Sequence, residues 1–342
     1  MNYVFGPVLS RRLGRSLGID PIPLKTCNWN CVYCQLGRTI PLTNQRKEYI
    51  SPTDILAEVE IALALHKAGG IDWITFVGSG EPTLHTGIGL LIREVKERTD
   101  IPVAVITNGA LFYHPEVREA VLAADAVLPS LDVGKPWLYR KINRPHPEIP
   151  FDRFLNGLVD FRKEYQGKLW VEVMLVHGLN DTKIALEDIA AALQKVRPDE
   201  VHINLPTRPP VETWVQPPDE EGLLRARAIL GDIARVVHPT AGDFDLSGCD
   251  NLVEAVTAII TRHPMHENDL ILTLTRNSSG DISEILATLE QSGRARVVER
   301  YGNRFWIAAS AHFPDENRSQ RMVSDFDILT REQGEEADGI DR

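Results

Sequence analysis

"KTCNWNCVYCQLGRT", residues 25–39, gathers three of the chain's four cysteines into a CxxxCxxC pattern: Cys27, Cys31 and Cys34. A structural zinc site takes four ligands, commonly from CxxC pairs. No histidine or further cysteine lies nearby to complete such a set, and Cys249 is far downstream. Three thiolates in one loop suit a four-iron cluster whose fourth iron is left open for another ligand. Zinc and incidental cysteines stand as the alternatives. So few cysteines in a chain of 342 residues make no disulfide framework, which points to the reducing cytosol. Cys249 reads as a partly buried small residue at a domain junction.

Around this loop the composition is that of a globular protein, 43% hydrophobic and 25% charged, with room for one large domain and one small one. The start, "MNYVFGPVLSRRLGRS", lacks the apolar run of a signal peptide, and no apolar stretch approaches membrane-spanning length, so no membrane partner is expected. The net charge of −11 argues against a general polyanion binder. Its distribution is uneven. Residues 1–50 carry seven Lys/Arg against Asp20 and Glu48, whereas residues 313–342 carry nine acids against four arginines. Cationic surface therefore gathers near the cysteines.

From residue 17 to about 240, Val/Ile-rich runs alternate with segments of helical period. Strands are expected at "LGIDPI", "WITFVGS", "VAVIT", "AVLPSLD", "LWVEVMLV" and "EVHINLP". Helices are expected near 52–67, 84–98, 114–124, 152–165, 183–196 and 219–236. Such runs imply parallel strands covered by helices. The fold class is α/β: a partial (β/α)6 TIM-like barrel over residues 1–240, with a doubly wound sheet as the alternative. Either puts chemistry at the carboxyl ends of strands. Polar residues collect there: Gly78 to Glu81, Thr107 to Gly109, Ser130 to Asp132, His177 to Asp181, and Thr207-Arg208. Residues 245–312 read as three helices and a hairpin, "ARVVERYGNRFWIAA", the composition of a small winged-helix domain. An acidic flexible tail, 313–342, is expected to follow.

The cysteine motif, with the aromatic Tyr33 just before its last cysteine and at the end of a first strand, resembles that of the radical S-adenosylmethionine superfamily. The stretch "FGPVLSRRLGRSLGIDPIPLKTCNWNCVYCQLG" is similar to a branch broadly related to wyosine-synthesis-type iron–sulfur enzymes. The resemblance covers about residues 3–210. It implies a [4Fe-4S] cluster on the three cysteines, and S-adenosylmethionine bound to the open iron through its amine and carboxylate. It further implies reductive cleavage of that cofactor to a 5′-deoxyadenosyl radical, with an electron donor such as flavodoxin or ferredoxin. "GSGEPT", 78–83, is similar to the superfamily's glycine-rich motif, with Gly80 and Glu81 at the methionine ammonium. Asn108, Ser130 and Asp132 would face the ribose and Tyr33 the adenine. The bland readings are a tight turn at Asn108-Gly109, a cap at Asp132 and a core aromatic at Tyr33. Wyosine-forming enzymes with a second cluster need additional N-terminal cysteines; this chain has none, so one cluster is expected.

Arg11, Arg12, Arg15, Lys25 and Arg38 flank the motif and could form an anion site for phosphate, carboxylate or RNA backbone. His177, Asn180 and Arg208, the last in "PTRPP", are candidate substrate contacts. The substrate is left open among an RNA base, a peptide and a small metabolite. Residues 250–312 hold eight acids and six arginines, with no basic stripe, so this domain reads as a docking module and no specific duplex DNA is expected. The rival function is a redox-sensing iron–sulfur regulator that binds DNA through the winged helix. All the residues assigned to the cofactor lie in the barrel, so the cofactor steps are expected to be independent of the C-terminal domain.

Overall fold

Val/Ile-rich runs buried on both faces become the strands of one sheet. In the computed structural model, residues 3–10, 12–66, 69–238, 251–278 and 280–313 are described. Arg11, Cys249, the junction at 240–245 and the acidic tail from residue 314 on lie outside them. The strands are β1 (Val4–Ser10), β2 (Gly14–Ile19), β3 (Trp73–Phe76), β4 (Val103–Thr107), β5 (Ala126–Pro129), β6 (Lys168–Met174), β7 (Glu200–Asn204) and β8 (Ala234–Val236). β1 pairs antiparallel with β2, and each later pair is parallel. The order is sequential from β1 to β8.

A doubly wound sheet needs a reversal in strand order. None occurs here. Right-handed crossovers in unbroken sequence put the helices on one face and leave the other to curl around a lumen. Those helices are α1 (Pro52–Leu65), α2 (Ile88–Arg98), α3 (Pro115–Val121), α4 (Pro136–Ile142), α5 (Phe151–Glu164), α6 (Lys183–Val196) and α7 (Glu220–Leu230). Proline opens α1, α3 and α4, where its missing N–H costs nothing. Thr182 and Asp219 cap α6 and α7 by accepting from Ala185 N and Gly222 N. Two strands of the sheet are additions to the expected six. β8 ends a segment that reads as a single helix, because Gly231 at φ +82 stops α7 and turns the chain. β1 carries Pro7, which an edge strand tolerates, and its register slips between Phe5 and Val8.

The C-terminal residues form α8 (Leu252–Arg262), β9 (Met265–His266), α9 (Glu267–Asn277), α10 (Ile282–Gln291), β10 (Ala295–Arg300) and β11 (Asn303–Ala308). Their sheet runs β10-β11-β9 and covers a core of its own that includes Ile260, Leu270, Leu274, Leu289 and Trp306. The hairpin turns on Tyr301 (φ 54) and Gly302 (φ 73), the two positive-φ positions that a two-residue loop requires. Among the described residues no helix is long and apolar enough to cross a membrane.

Candidate active site

Inward-facing strand residues Ser16, Thr75, Ile106, Glu172, Met174 and Asn204 line a cavity of about 370 Å³. Toward the amino ends of the strands, Leu13, Ala104, Ala126 and Leu128 pack with Trp73 and Trp170, whose rings stand 5.8 Å apart. At the other end the cavity meets the loop between β2 and α1, and there Cys27, Cys31 and Cys34 all reach its wall.

Each sulfur has its own nitrogen neighbours. Trp29 N (3.4 Å) and Asn108 Nδ2 (3.8 Å) approach Cys27, Asn143 Nδ2 (4.0 Å) approaches Cys31, and Lys25 Nζ (3.1 Å) approaches Cys34. The loop is held largely by α4, an element the sequence pattern did not predict. Val32 N donates to Ile142 O (2.9 Å), Asn30 N to Asn143 O (3.1 Å), and Trp29 packs edge-on against Tyr139 and Phe154. Burial pushes the Cys27 thiol up to about 12, with the Lys25 ammonium pulling the other way, and burial also lifts Cys31 well above the usual thiol range. Burial alone would lower Lys25, but Cys34, Cys27 and Cys31 together outweigh it and hold the ammonium charged. Among the described residues no three His, Cys, Asp or Glu groups converge as they would on a single metal ion. The three thiols share a cavity wall without that convergence.

Gly78-Ser79-Gly80 line the same cavity beside the cysteine loop, with Lys25 N donating to Ser79 O at 2.7 Å. A Cβ on Gly80 would stand 1.9 Å from Thr26 O, and one on Gly78 would stand 2.2 Å from the Asp20 carboxyl. Bare backbone is what lets this loop lie against the cysteine loop. Glu81 does not join it at the cavity. Its carboxylate is buried and accepts from Thr83 N, Thr83 Oγ1, Thr107 Oγ1 and Asn108 N, at 2.6–3.0 Å. Here the carboxylate expected at the methionine ammonium ties the glycine loop to β4.

The residues expected to face the ribose are likewise engaged within the protein. Asp132 is buried, accepting from Tyr33 OH (2.5 Å), Asn143 Nδ2 (2.6 Å) and Met174 N (2.7 Å). Asn108 closes its own turn through Ala110 N (2.9 Å) and donates to Asn28 (2.6 Å). Ser130 bridges to Glu172. None of the three lines the cavity, whereas Tyr33 does, its hydroxyl held by Asp132. Asp132→Ala should strand three donors at once, at about 1–3 kcal/mol for each one left buried and unpaired. Denaturant unfolding of the apoprotein is expected to show a loss of at least about 2 kcal/mol, and a wild-type midpoint would remove Asp132 from this role.

The cationic candidates divide. Arg12 lines the cavity and is ion-paired with Glu172, and Arg208 lines it with Nη1 3.1 Å from Gln35 Oε1. Arg15 does not. It opens β2, at the far end from the chemistry, and chelates Asp72 on the exposed surface. His177 is half exposed and pairs with Asp181 at 3.1 Å as a turn residue. Asn180 is structural, donating to Asp132 O and Met174 O at 2.8 Å. Arg38 joins Arg144 on the buried Glu212.

Sequence reading missed Asp20, Asn143, Glu172 and His263. Asp20 sits at a strand's carboxyl end, the very criterion applied to the later strands. His263 lines the cavity from the C-terminal unit, and the preceding Arg262 bonds Asp20 at 2.7 Å. One cavity-lining residue, His263, therefore comes from beyond the strands that carry the expected cofactor residues.

Comparison with known proteins bears on this geometry. Residues 22–186 match the family model described as the Radical SAM superfamily. The chain is 35% identical over 311 residues to a UPF0026 protein of Methanocaldococcus jannaschii, covering 90% of this chain and 96% of that one. It is 38% identical over 296 residues to a protein of Brachyspira hyodysenteriae named GTPase Obg, covering 86% of this chain. It spans only 43% of that relative's length. A solved structure described as TYW1 with a lysine-pyruvate adduct bound is similar at 14% identity and a TM-score of 0.43, over 87% of this chain and 82% of the other.

Proposed function

We propose that this chain, which belongs to the radical SAM superfamily, is an enzyme that holds one [4Fe-4S] cluster on Cys27, Cys31 and Cys34 and binds S-adenosylmethionine against Gly78–Gly80. The observation that carries this reading is that three thiols and the adjoining glycine-rich loop Gly78-Ser79-Gly80 line one cavity, packed so closely that a side chain on Gly80 would have no room. The donor set fits such a group: sulfur ligands, one left short of a full set, with nitrogen donors beside each. A bound cluster would supply one-electron reduction of the sulfonium, the chemistry by which S-adenosylmethionine would yield methionine and a 5′-deoxyadenosyl radical able to take a hydrogen atom from substrate.

The chain's own residues prepare that site. The Lys25 ammonium donates a hydrogen bond to the Cys34 sulfur at 3.1 Å and sets a positive charge beside it. Asn108 and Asn143 direct amide N–H groups toward Cys27 and Cys31, and such bonds tune a cluster's potential. Tyr33, fixed by Asp132, offers an aromatic wall, and the apolar base formed with Leu13 and Leu128 keeps water from a radical. Arg12 and Arg208, both on the cavity wall, are our candidates for contacting an anionic substrate. Substrate class is tested by comparing metabolites, peptides and modified nucleosides in cells with and without the gene; accumulation of one class on deletion identifies it.

The C-terminal elements we read as a winged helix that docks substrate or a partner, in a cytosolic enzyme reduced by flavodoxin or ferredoxin. A regulator that grips duplex DNA would need cations its residues 250–312 do not supply in excess. The full-length protein is expected to show no sequence-selective duplex binding at physiological salt. Submicromolar selective binding in a gel-shift assay would revive the regulator.

A further inference from the structure

We infer that Arg262, at the end of α8, is a positioning residue for the glycine loop, so that the C-terminal unit helps to shape the cofactor site. The inference rests on the reading that Gly78–Gly80 face the cofactor. Arg262 and Asp20 stand 242 positions apart in sequence, yet Arg262 Nε lies 2.7 Å from Asp20 Oδ2. Both are withdrawn from water, their side chains 10% and 2% exposed. The same carboxylate accepts from Ser79 Oγ (2.6 Å) and Ser79 N (3.2 Å) on the cavity wall, and from Ile22 N at 3.4 Å. Gly78 is bare where Asp20 presses on it. One carboxylate thus couples α8 to the loop.

Arg262 is itself held. Its Nη1 donates to Ala258 O at 3.0 Å, and its guanidinium lies 5.0 Å from the centre of the Phe5 ring. Phe5 occupies the space that a side chain on Gly18 would need. The Arg262 carbonyl accepts from Gln35 Nε2 (3.2 Å), and Gln35 directly follows Cys34. Arg262 therefore touches the neighbours of both loops. A buried carboxylate needs a compensating cation. Without Arg262, Asp20 loses the cation that holds its Oδ2 in place, and its grip on Ser79 loosens.

The test uses full-length, anaerobically reconstituted protein. Iron per chain is measured, and the dissociation constant for S-adenosylmethionine is read from the change in the reduced cluster's electron paramagnetic resonance spectrum on titration. Arg262→Met is expected to keep its iron and weaken S-adenosylmethionine binding by at least tenfold, with Arg262→Lys recovering part of the loss. Asp20→Asn should weaken binding as well, and the double variant should bind no worse than the weaker single one, because both act through one contact. A purely structural role would lower thermal stability and leave the dissociation constant and the spectrum unmoved. Wild-type affinity in iron-loaded Arg262→Met overturns the inference. If that variant fails to fold, wild-type affinity in both Arg262→Lys and Asp20→Asn overturns it equally. Wild-type protein that takes up no iron overturns the proposed function instead, and this inference with it.

Discussion

Reconstituted Cys27→Ala protein is expected to hold no four-iron cluster, its iron falling from about four per chain to near zero. Cys27 is one of three thiols on the cavity wall, and with two ligands left the motif cannot retain a cuboidal cluster. Little else should change. The Cys27 sulfur accepts one backbone N–H, from Trp29, and the loop keeps its bonds to Ile142 and Asn143 and the packing of Trp29 on Tyr139 and Phe154. Apoprotein unfolding should therefore move by no more than about 2 kcal/mol, the worth of that bond and of the longer one from Asn108 Nδ2 at 3.8 Å. Cys249→Ala should keep its full iron and its visible absorbance. Stoichiometric zinc without that absorbance, in the wild type, would contradict the cluster reading and favour the structural alternative.

Gly80→Ala is expected to be the most damaging change that leaves every proposed ligand in place. The new Cβ meets Thr26 O at 1.9 Å and Ile22 Cγ2 at 2.9 Å, and the first is backbone that no rotamer change can move. The two loops must part, which breaks Glu81 N to Thr26 O (2.9 Å) and Lys25 N to Ser79 O (2.7 Å). Two hydrogen bonds at roughly 1 kcal/mol each, and overpacking at about 1–3 kcal/mol, put the cost near 3–5 kcal/mol. S-adenosylmethionine binding should be lost along with the stability, because both loops line the cavity. Gly280→Ala, whose Cβ meets only Ser278 Oγ at 3.3 Å, is the control and should unfold like the wild type. An unaltered midpoint in Gly80→Ala would show that the loops do not meet as described.

How much of this was legible from sequence varied with the kind of signal. The cysteine spacing and "GSGEPT" are local patterns, and the structure brings both to one cavity. Strand and helix periods were equally local, which is why α1, α5 and α6 fall where expected. Glu81 and Asp132 follow β3 and β5, where a carboxylate can serve a ligand or the fold. A carboxylate at a strand end reads the same whether its oxygens face a ligand or, as here, are taken by Thr83, Thr107, Tyr33 and Met174. Arg12 and Arg15 read alike in a cationic cluster, but only the fold puts one at the cavity and the other on Asp72. α4 has only seven residues, too short a window for helical period to stand out. Arg262 carried no signal at all. Its partner is Asp20, and nothing near either residue announces the other.

That contact changes how the C-terminal unit is viewed. His263 lines the cavity with its ring 5.6 Å from that of Phe5, and the His312 backbone meets the cysteine loop, its carbonyl accepting from Arg38 N at 2.7 Å. A ligand or partner docked on this unit would act on residues one contact from the glycine loop. The pairing explains why a unit with its own core is joined to the barrel by buried charge as well as by packing.

The central claim is that three thiols and a bare glycine loop make a reductive S-adenosylmethionine site, and one measurement tests it most directly. Anaerobically reconstituted full-length protein is given dithionite and S-adenosylmethionine, and the products are quantified by liquid chromatography and mass spectrometry. The account predicts 5′-deoxyadenosine and methionine in equal amounts, formed slowly without substrate and absent from Cys27→Ala. Intact S-adenosylmethionine after prolonged incubation with iron-loaded, reduced wild-type protein would contradict it.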